Sequence, residues 1–186
     1  MSRRPEALKL TYDDYLALPL SDDGRRYEIL DGELYVSPTP LIRHQLVSQN
    51  LFRILDRHVL ENRLGLLFNV PVTVVLARTT IPIPDLVFVR NDRSSIITEK
   101  EIAGPPDLVV EILSPSSKKQ DRVIKARLYA RYRVREYWIV DPKSQTLEIF
   151  ELRGRAYRRT SRYAGAAIAR SNSFPKLEID LAKVWP

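Results

Sequence analysis

In Pro105-Pro106-Asp107-Leu108-Val109-Val110-Glu111-Ile112-Leu113 the run that follows Asp107 is nearly continuously apolar and interrupted by one acid, Glu111, the pattern of a strand covered on both faces. Glu111 is therefore expected to be buried or to line a cleft. Ser114-Pro115-Ser116-Ser117 follows as a capping-rich turn, then a helix expected from about Lys118 to Tyr132, then a second apolar strand, Tyr137-Trp138-Ile139-Val140. Strand, helix, strand in that order predicts a right-handed parallel crossover.

Upstream, Leu66 to Val75 and Ile83 to Val89 are β-rich runs separated by polar and proline-containing turns, with Pro71 arguing for a bulge or an edge. Between Leu41 and about Asn62, apolar residues at 47, 51, 54, 55 and 59 keep close to a helical period. In Tyr27-Glu28-Ile29-Leu30-Asp31-Gly32-Glu33-Leu34-Tyr35-Val36 an Asp-Gly pair joins two β-prone runs, a hairpin signal that puts Glu28 and Glu33 on opposite arms. Thr11 to Pro19 reads as a short helix with Thr11 as N-cap, acids in its first turn and a proline stop. Downstream, Thr146 to Phe150 and Ala156 to Tyr163 form a further pair of strands around Arg153-Gly154-Arg155. The expected class is α/β with a mixed central β-sheet flanked by helices.

A chain of 186 residues, 44% apolar and 28% charged, has the size and composition of one globular domain spanning residues 1–186. Cysteine is absent, which excludes disulfides, thiolate metal sites and a cysteine nucleophile. The net charge of +7 favours a polyanionic partner such as nucleic acid. The charged start, Met1-Ser2-Arg3-Arg4-Pro5-Glu6, leads into no apolar segment, and no run approaches the roughly eighteen apolar residues of a membrane span. The expectation is a soluble cytoplasmic protein with no membrane partner.

Three acids interrupt apolar β-runs: Asp85 after Pro84, Asp107 after Pro106, and Glu111. A buried carboxylate needs a cation, a hydrogen-bond donor or a metal to offset its desolvation. A converging pair could hold magnesium, which takes one or two carboxylates and keeps waters for chemistry on phosphates. In the following helix Asp121, Lys125 and Tyr129 recur at four-residue spacing and share a face, so Lys125 can point towards the sheet. A lysine beside a metal-bound water can orient it or stabilise charge building on phosphorus. Asp107, about 13 Å along the strand from Glu111, is too far to share one ion and is read as structural.

Pro84-Asp85 and, twenty-six residues on, Glu111-Ile112-Leu113 resemble the PD-(D/E)XK nuclease pattern, with leucine where the final lysine usually stands. In several branches of that superfamily the lysine comes from the next helix, where Lys125 lies. Tyr27 to Leu34, His44, Pro106 to Ser116 and Glu136-Tyr137-Trp138-Ile139-Val140-Asp141-Pro142 are together similar to the Uma-type family, described as restriction endonucleases. The resemblance runs from about Thr11 to Val184. It implies a restriction-endonuclease-like core, Asp85 and Glu111 as metal ligands for Mg2+ with Mn2+ as a substitute, and Lys125 as the migrated catalytic lysine. It also puts His44 and Glu33 at characteristic family positions in the same cleft. By the same analogy the partners are DNA and a second copy of the chain in a homodimer, with no small-molecule cofactor.

Each residue also has a plainer reading. Asp85 can cap a turn, Glu111 can be held by a structural salt bridge to Lys125 or an arginine, and His44 can be a half-buried hydrogen-bonded histidine. Glu28 and Glu33 flank a turn, where charge is ordinary. Arg153, Arg155, Arg158, Arg159, Arg162 and Arg170 either bind phosphate or keep an edge strand soluble. The alternative function is a catalytically inactive nucleic-acid-binding protein that retains the nuclease fold, motivated by Leu113. A glycoside hydrolase with paired carboxylates is a third, remote class that leaves Lys125 unexplained.

Overall fold

The computed structural model describes residues 8–18, 24–69 and 71–186; the expected Pro19 stop and the charged segment 1–6 lie outside them. Helix α1 (Tyr12–Ala17) begins at a capping box in which Thr11 and Asp14 each satisfy the other's backbone N–H. Strands β1 (Arg26–Leu30) and β2 (Glu33–Ser37) pair antiparallel around Asp31-Gly32, whose φ values of 54° and 89° are both left-handed, as a two-residue type I′ turn demands. This hairpin stands apart from the main sheet. It is tied to the rest by an Ile29–Ile81 bridge and by the Gly32 N–H donating to the Thr79 carbonyl.

Helix α2 (Ile42–Glu61) follows the expected bounds closely, with Val47, Leu51, Leu55 and Val59 on its buried face. Strand β3 (Gly65–Phe68) is much shorter than the expected Leu66–Val75. Pro71 has no N–H to donate to a ladder, and beyond it the chain forms isolated bridges such as Val74–Ile102 and single backbone hydrogen bonds such as Val74 N–H to the Pro82 carbonyl in place of a continuous strand. Strand β4 is Leu86–Arg90, so Ile83, Pro84 and Asp85 fall outside the expected strand. Prolines 82 and 84 account for this late start, which leaves Asp85 at the strand's entrance.

Strand β5 (Leu108–Ile112) is buried at every position, and so is β6 (Glu136–Asp141). They pair in parallel, as the strand, helix, strand order predicted. Between them the helix begins as a π-helical turn, Gln120–Lys125, in which the Ala126 N–H reaches the Asp121 carbonyl five residues back, and continues as α3 (Ala126–Arg131). Strands β7 (Thr146–Arg153) and β8 (Ala156–Ala164) complete a six-stranded sheet of order β3-β4-β5-β6-β7-β8. Every neighbour except the β5–β6 pair is antiparallel, so the sheet is mixed. A short pair, β9 (Ile168–Ala169) and β10 (Ile179–Asp180), was not legible in the sequence.

Strand alternation divides the core. Leu108, Val110 and Ile112 face α2 and the carboxy-terminal Phe174, Ile179 and Val184. Val109 and Leu113 face Tyr129 of α3 together with Tyr137 and Ile139 of β6. Glu111 has the parity of this second face, which aims it at the π turn.

Candidate active site

The polar residues of β1, α2, β4's entrance, β5 and the π turn converge on one cavity of about 280 Å³, walled by Arg26, Glu28, His44, Asp85, Glu111 and Lys125 among others. Strand parity places Glu111 here, and the helix that follows β5 brings Lys125 back over it. Lys125 is almost fully buried, with Nζ 2.8 Å from Glu28 Oε1, 3.0 Å from Glu111 Oε1 and 3.6 Å from Asp121 Oδ1. The Tyr129 hydroxyl donates to Glu111 Oε1 at 2.7 Å. Asp121, Lys125 and Tyr129 thus share a face in spite of the π turn, as their spacing predicted.

Asp85 is held differently. Its Oδ1 accepts from Arg26 Nη1 at 2.6 Å, and its Oδ2 accepts from the Ile112 N–H at 2.7 Å and lies 3.0 Å from His44 Nε2. Burial alone would raise its pKa, but the contacts with His44, Arg26 and the Ile112 amide outweigh burial and lower it to about 2. Glu111 moves the opposite way. Burial drives its pKa well above the ordinary glutamate value, Lys125 only partly offsets this, and the nearby charges of Asp121, Asp85 and Glu28 add to it. Asp121 is raised too, chiefly by burial, and its Oδ1 lies beyond hydrogen-bond reach of Lys125 with no other donor. Burial acts to lower the Lys125 pKa, but Glu111, Glu28 and Asp121 reverse that and hold it well above the usual lysine value. The side chain is therefore a fixed cation and not a general base.

Four carboxylates, Glu28, Asp85, Glu111 and Asp121, share this space with two permanent cations, Arg26 and Lys125. That imbalance leaves the cleft short of positive charge and adds to the rise in pKa that burial imposes on Glu111 and Asp121.

Of the residues singled out from the sequence, Asp85, Glu111, Lys125 and His44 all line the cavity. Glu33 does not. It is exposed on β2 and accepts from the Tyr35 hydroxyl at 2.9 Å; paired with Leu30 it shares a hairpin face with Glu28, but it sits at the turn end of that face, beyond the cavity. Glu28, set aside as a turn-flanking acid, is the residue the sequence reading missed. It is 2% exposed, fixed by the Ile83 N–H at 2.7 Å and by Gln120 Nε2 at 3.0 Å as well as by Lys125. Its signal was the one that exposed Glu111, an acid inside an apolar run, Tyr27-Glu28-Ile29-Leu30. Arg26 gave no comparable signal.

Asp107 lies at the other end of the sheet, where it accepts from Arg93 Nη1 and the Arg90 N–H, both at 3.0 Å. A larger cavity of about 830 Å³ opens there, but its two buried acids are fully engaged: Asp107 as above, and Glu136 by Trp138, Ser171 and Ser173. Size therefore does not single out a candidate site; the underneutralised cluster distinguishes the smaller cavity.

The sequence from residue 12 to 182 matches the model of the Uma2 family, described as "Putative restriction endonuclease". The chain belongs to the Uma2 family. Comparison with curated proteins gave no match. Among solved structures, the crystal structure of a "putative nuclease belonging to DUF820" from Anabaena variabilis is similar, with a TM-score of 0.78 and 20% identity over 95% of this chain and 97% of that one. At that identity the likeness shows the fold alone, a mixed sheet flanked by helices that in this chain has six strands. Among the described residues, no helix of the Uma2 chain is long and apolar enough to cross a membrane.

Proposed function

We propose that the cleft hydrolyses phosphodiester bonds of DNA with the help of a divalent cation, magnesium in the first place and manganese as a substitute. The observation that carries this reading is Lys125: a buried, permanently charged lysine bridging Glu28 and Glu111 beside Asp85, in a cluster whose carboxylates outnumber its cations. The family description and the basic excess of the chain support nucleic acid as substrate.

The donor set fits a hard cation on charge. Among the described residues, no three or more acidic, histidine or cysteine side chains are grouped as a metal cage. An ion here would rest on Asp85 and Glu111 and complete its shell with water and substrate phosphate, which is how magnesium is commonly held. When bound, it would supply Lewis-acid activation of water and neutralise phosphate charge.

The chain's own groups have separate tasks. Arg26, His44 and the Ile112 amide keep Asp85 ionised. Tyr129 and Lys125 fix Glu111 Oε1, leaving Oε2 as its adaptable oxygen. Lys125, held by Glu28 and unable to give up its proton near neutrality, orients water or stabilises the charge that develops on the phosphoryl oxygens. Loss of such a donor typically costs 10²–10³ in rate. Because burial raises the Glu111 pKa, a cation bound there competes with a proton, so metal binding should release protons and tighten as pH rises.

Calorimetry in two buffers of different ionisation enthalpy tests this. Magnesium binding with proton release by wild type, lost in Glu111→Gln, is expected, and Lys125→Ala should cut DNA at least 100-fold more slowly. Metal binding unchanged by Glu111→Gln would refute the assignment. A second reading is favoured by the Arg26–Asp85 contact, which occupies Asp85 Oδ1: a binding protein that has lost turnover. DNA binding indifferent to magnesium, with no cutting, would select it.

A further inference from the structure

On the sheet face opposite α2, arginines from separate segments gather along the outside of the helix that carries Lys125. Arg122 lies in the π turn, Arg127 and Arg131 on α3, Arg133 just beyond it, Arg155 in the β7–β8 turn and Arg159 on β8. They line two cavities of about 560 and 550 Å³, which adjoin because Arg127 and Arg155 line both.

The only acids in this lining are Asp31 and Glu148, and both are already paired. Asp31 meets Lys9 at 3.1 Å and Arg131 at 3.6 Å, while Glu148 meets Arg122 at 2.5 Å and Arg159 at 2.8 Å. Six arginines against two acids leave an excess of four positive charges. Arg127 and Arg155 are exposed and form no ion pair within 4 Å among the described residues, although Asp31 lies near enough to feel the Arg127 charge. Arg133 spends a guanidinium N–H on the Gly154 carbonyl at 2.6 Å, which fixes its direction without neutralising it.

The arrangement is a row and not a pocket. From Arg122 to Arg131 the helix advances roughly 13 Å at about 1.5 Å per residue, the rise of about four phosphates on one strand of duplex DNA. A single phosphate would be gathered by one convergent set of donors, whereas a row of guanidinium groups matches an extended polyanion. The row begins beside Asp121, in the turn whose other face closes the catalytic cavity.

We propose that this arginine groove binds the sugar-phosphate backbone of the DNA substrate away from the scissile position. The proposal rests on the nuclease reading for its choice of polyanion. Fluorescence anisotropy with a labelled duplex, in chelator so that nothing is cut, tests it across a potassium chloride titration. The proteins are wild type, Arg127→Ala/Arg155→Ala, and Arg53→Ala/Arg57→Ala, which removes the same charge from the exposed face of α2.

Each phosphate contact contributes about 0.9 to the slope of log affinity against log salt, so the groove variant should lose about 1.8 in slope and tens of fold in affinity at 0.1 M salt. The α2 variant should match wild type. Equal losses in both variants, or no loss in the groove variant, would overturn the proposal, as would failure of wild type to bind duplex at all. A metal-dependent cleavage assay run beside it separates the two readings. Cutting by wild type with no groove effect leaves the nuclease standing without the groove, and a groove effect without cutting does the reverse.

Discussion

Replacing Lys125 by methionine keeps most of the side chain's volume and removes its charge, and the structure sets the consequence. Three carboxylates, at 2.8, 3.0 and 3.6 Å from Nζ, lose their shared cation at positions where all four side chains are almost fully buried. Removing one partner from a buried ion pair costs about 3–5 kcal/mol, a large share of the roughly 5–15 kcal/mol that holds a typical domain together. For a chain of this length each kcal/mol moves Tm by roughly 2–4 °C, so Tm should fall by roughly 6–20 °C at pH 8. The loss must also depend on pH in a defined direction. Glu111 and Asp121 already titrate above their ordinary values because of burial, with Lys125 holding both down. Without Lys125 the folded protein keeps protons that the unfolded chain has released, so its stability rises as pH falls. Thermal unfolding in chelator at pH 8 and pH 5.5 checks both points. A Tm difference from wild type below about 2 °C at pH 8, or one that is equal at the two pH values, would refute the electrostatic account of the cluster.

Three further outcomes follow from the same geometry. Glu111→Gln should raise Tm in chelator at pH 8 while abolishing cutting, since a folded-state pKa raised above the ordinary glutamate range means that stability is lost as pH climbs through it; an unchanged or lower Tm would contradict this. Asp85, lowered from 3.8 to about 2, contributes about 2 kcal/mol above pH 4 that disappears as pH falls towards 2, so Asp85→Asn should flatten the acid limb of the stability curve measured by denaturant titration. Gly65→Ala should destabilise by about 1–3 kcal/mol or more, read as a lower denaturation midpoint, because a Cβ there would lie 2.1 Å from the Val89 carbonyl oxygen, which the β3–β4 pairing holds in place.

The order of elements was legible because periodicity is a core property. The α2 stripe, the apolar β5 and β6 runs and the Asp31-Gly32 turn each announce themselves locally. What failed was local in a different way. The Leu66–Val75 strand looked β-rich by composition, yet strand pairing is decided by neighbours, and Pro71 leaves the chain nothing to donate at that point. In the cleft, Asp85, Glu111 and Lys125 were found because each broke a pattern or kept a spacing. Glu28 was discounted because charge beside a turn is ordinary, and long-range contacts, the Ile29–Ile81 bridge and the Gly32–Thr79 hydrogen bond among them, turn β1 inward over the site. Arg26 was invisible for the same reason: an arginine at a strand's start carries no sign of the carboxylate it will meet 59 residues later. Glu33 shows the converse, since its place in a family motif did not bring it into the cavity.

The most direct test of the central claim is incubation of supercoiled plasmid with wild type and with Glu111→Gln, in magnesium, manganese and chelator, scored for nicked and linear products. Wild-type cutting in either metal, none in chelator and none by Glu111→Gln is the predicted result. Cutting that persists in chelator, or that Glu111→Gln retains in full, would contradict the claim that this buried carboxylate cluster is a metal-dependent phosphodiesterase site.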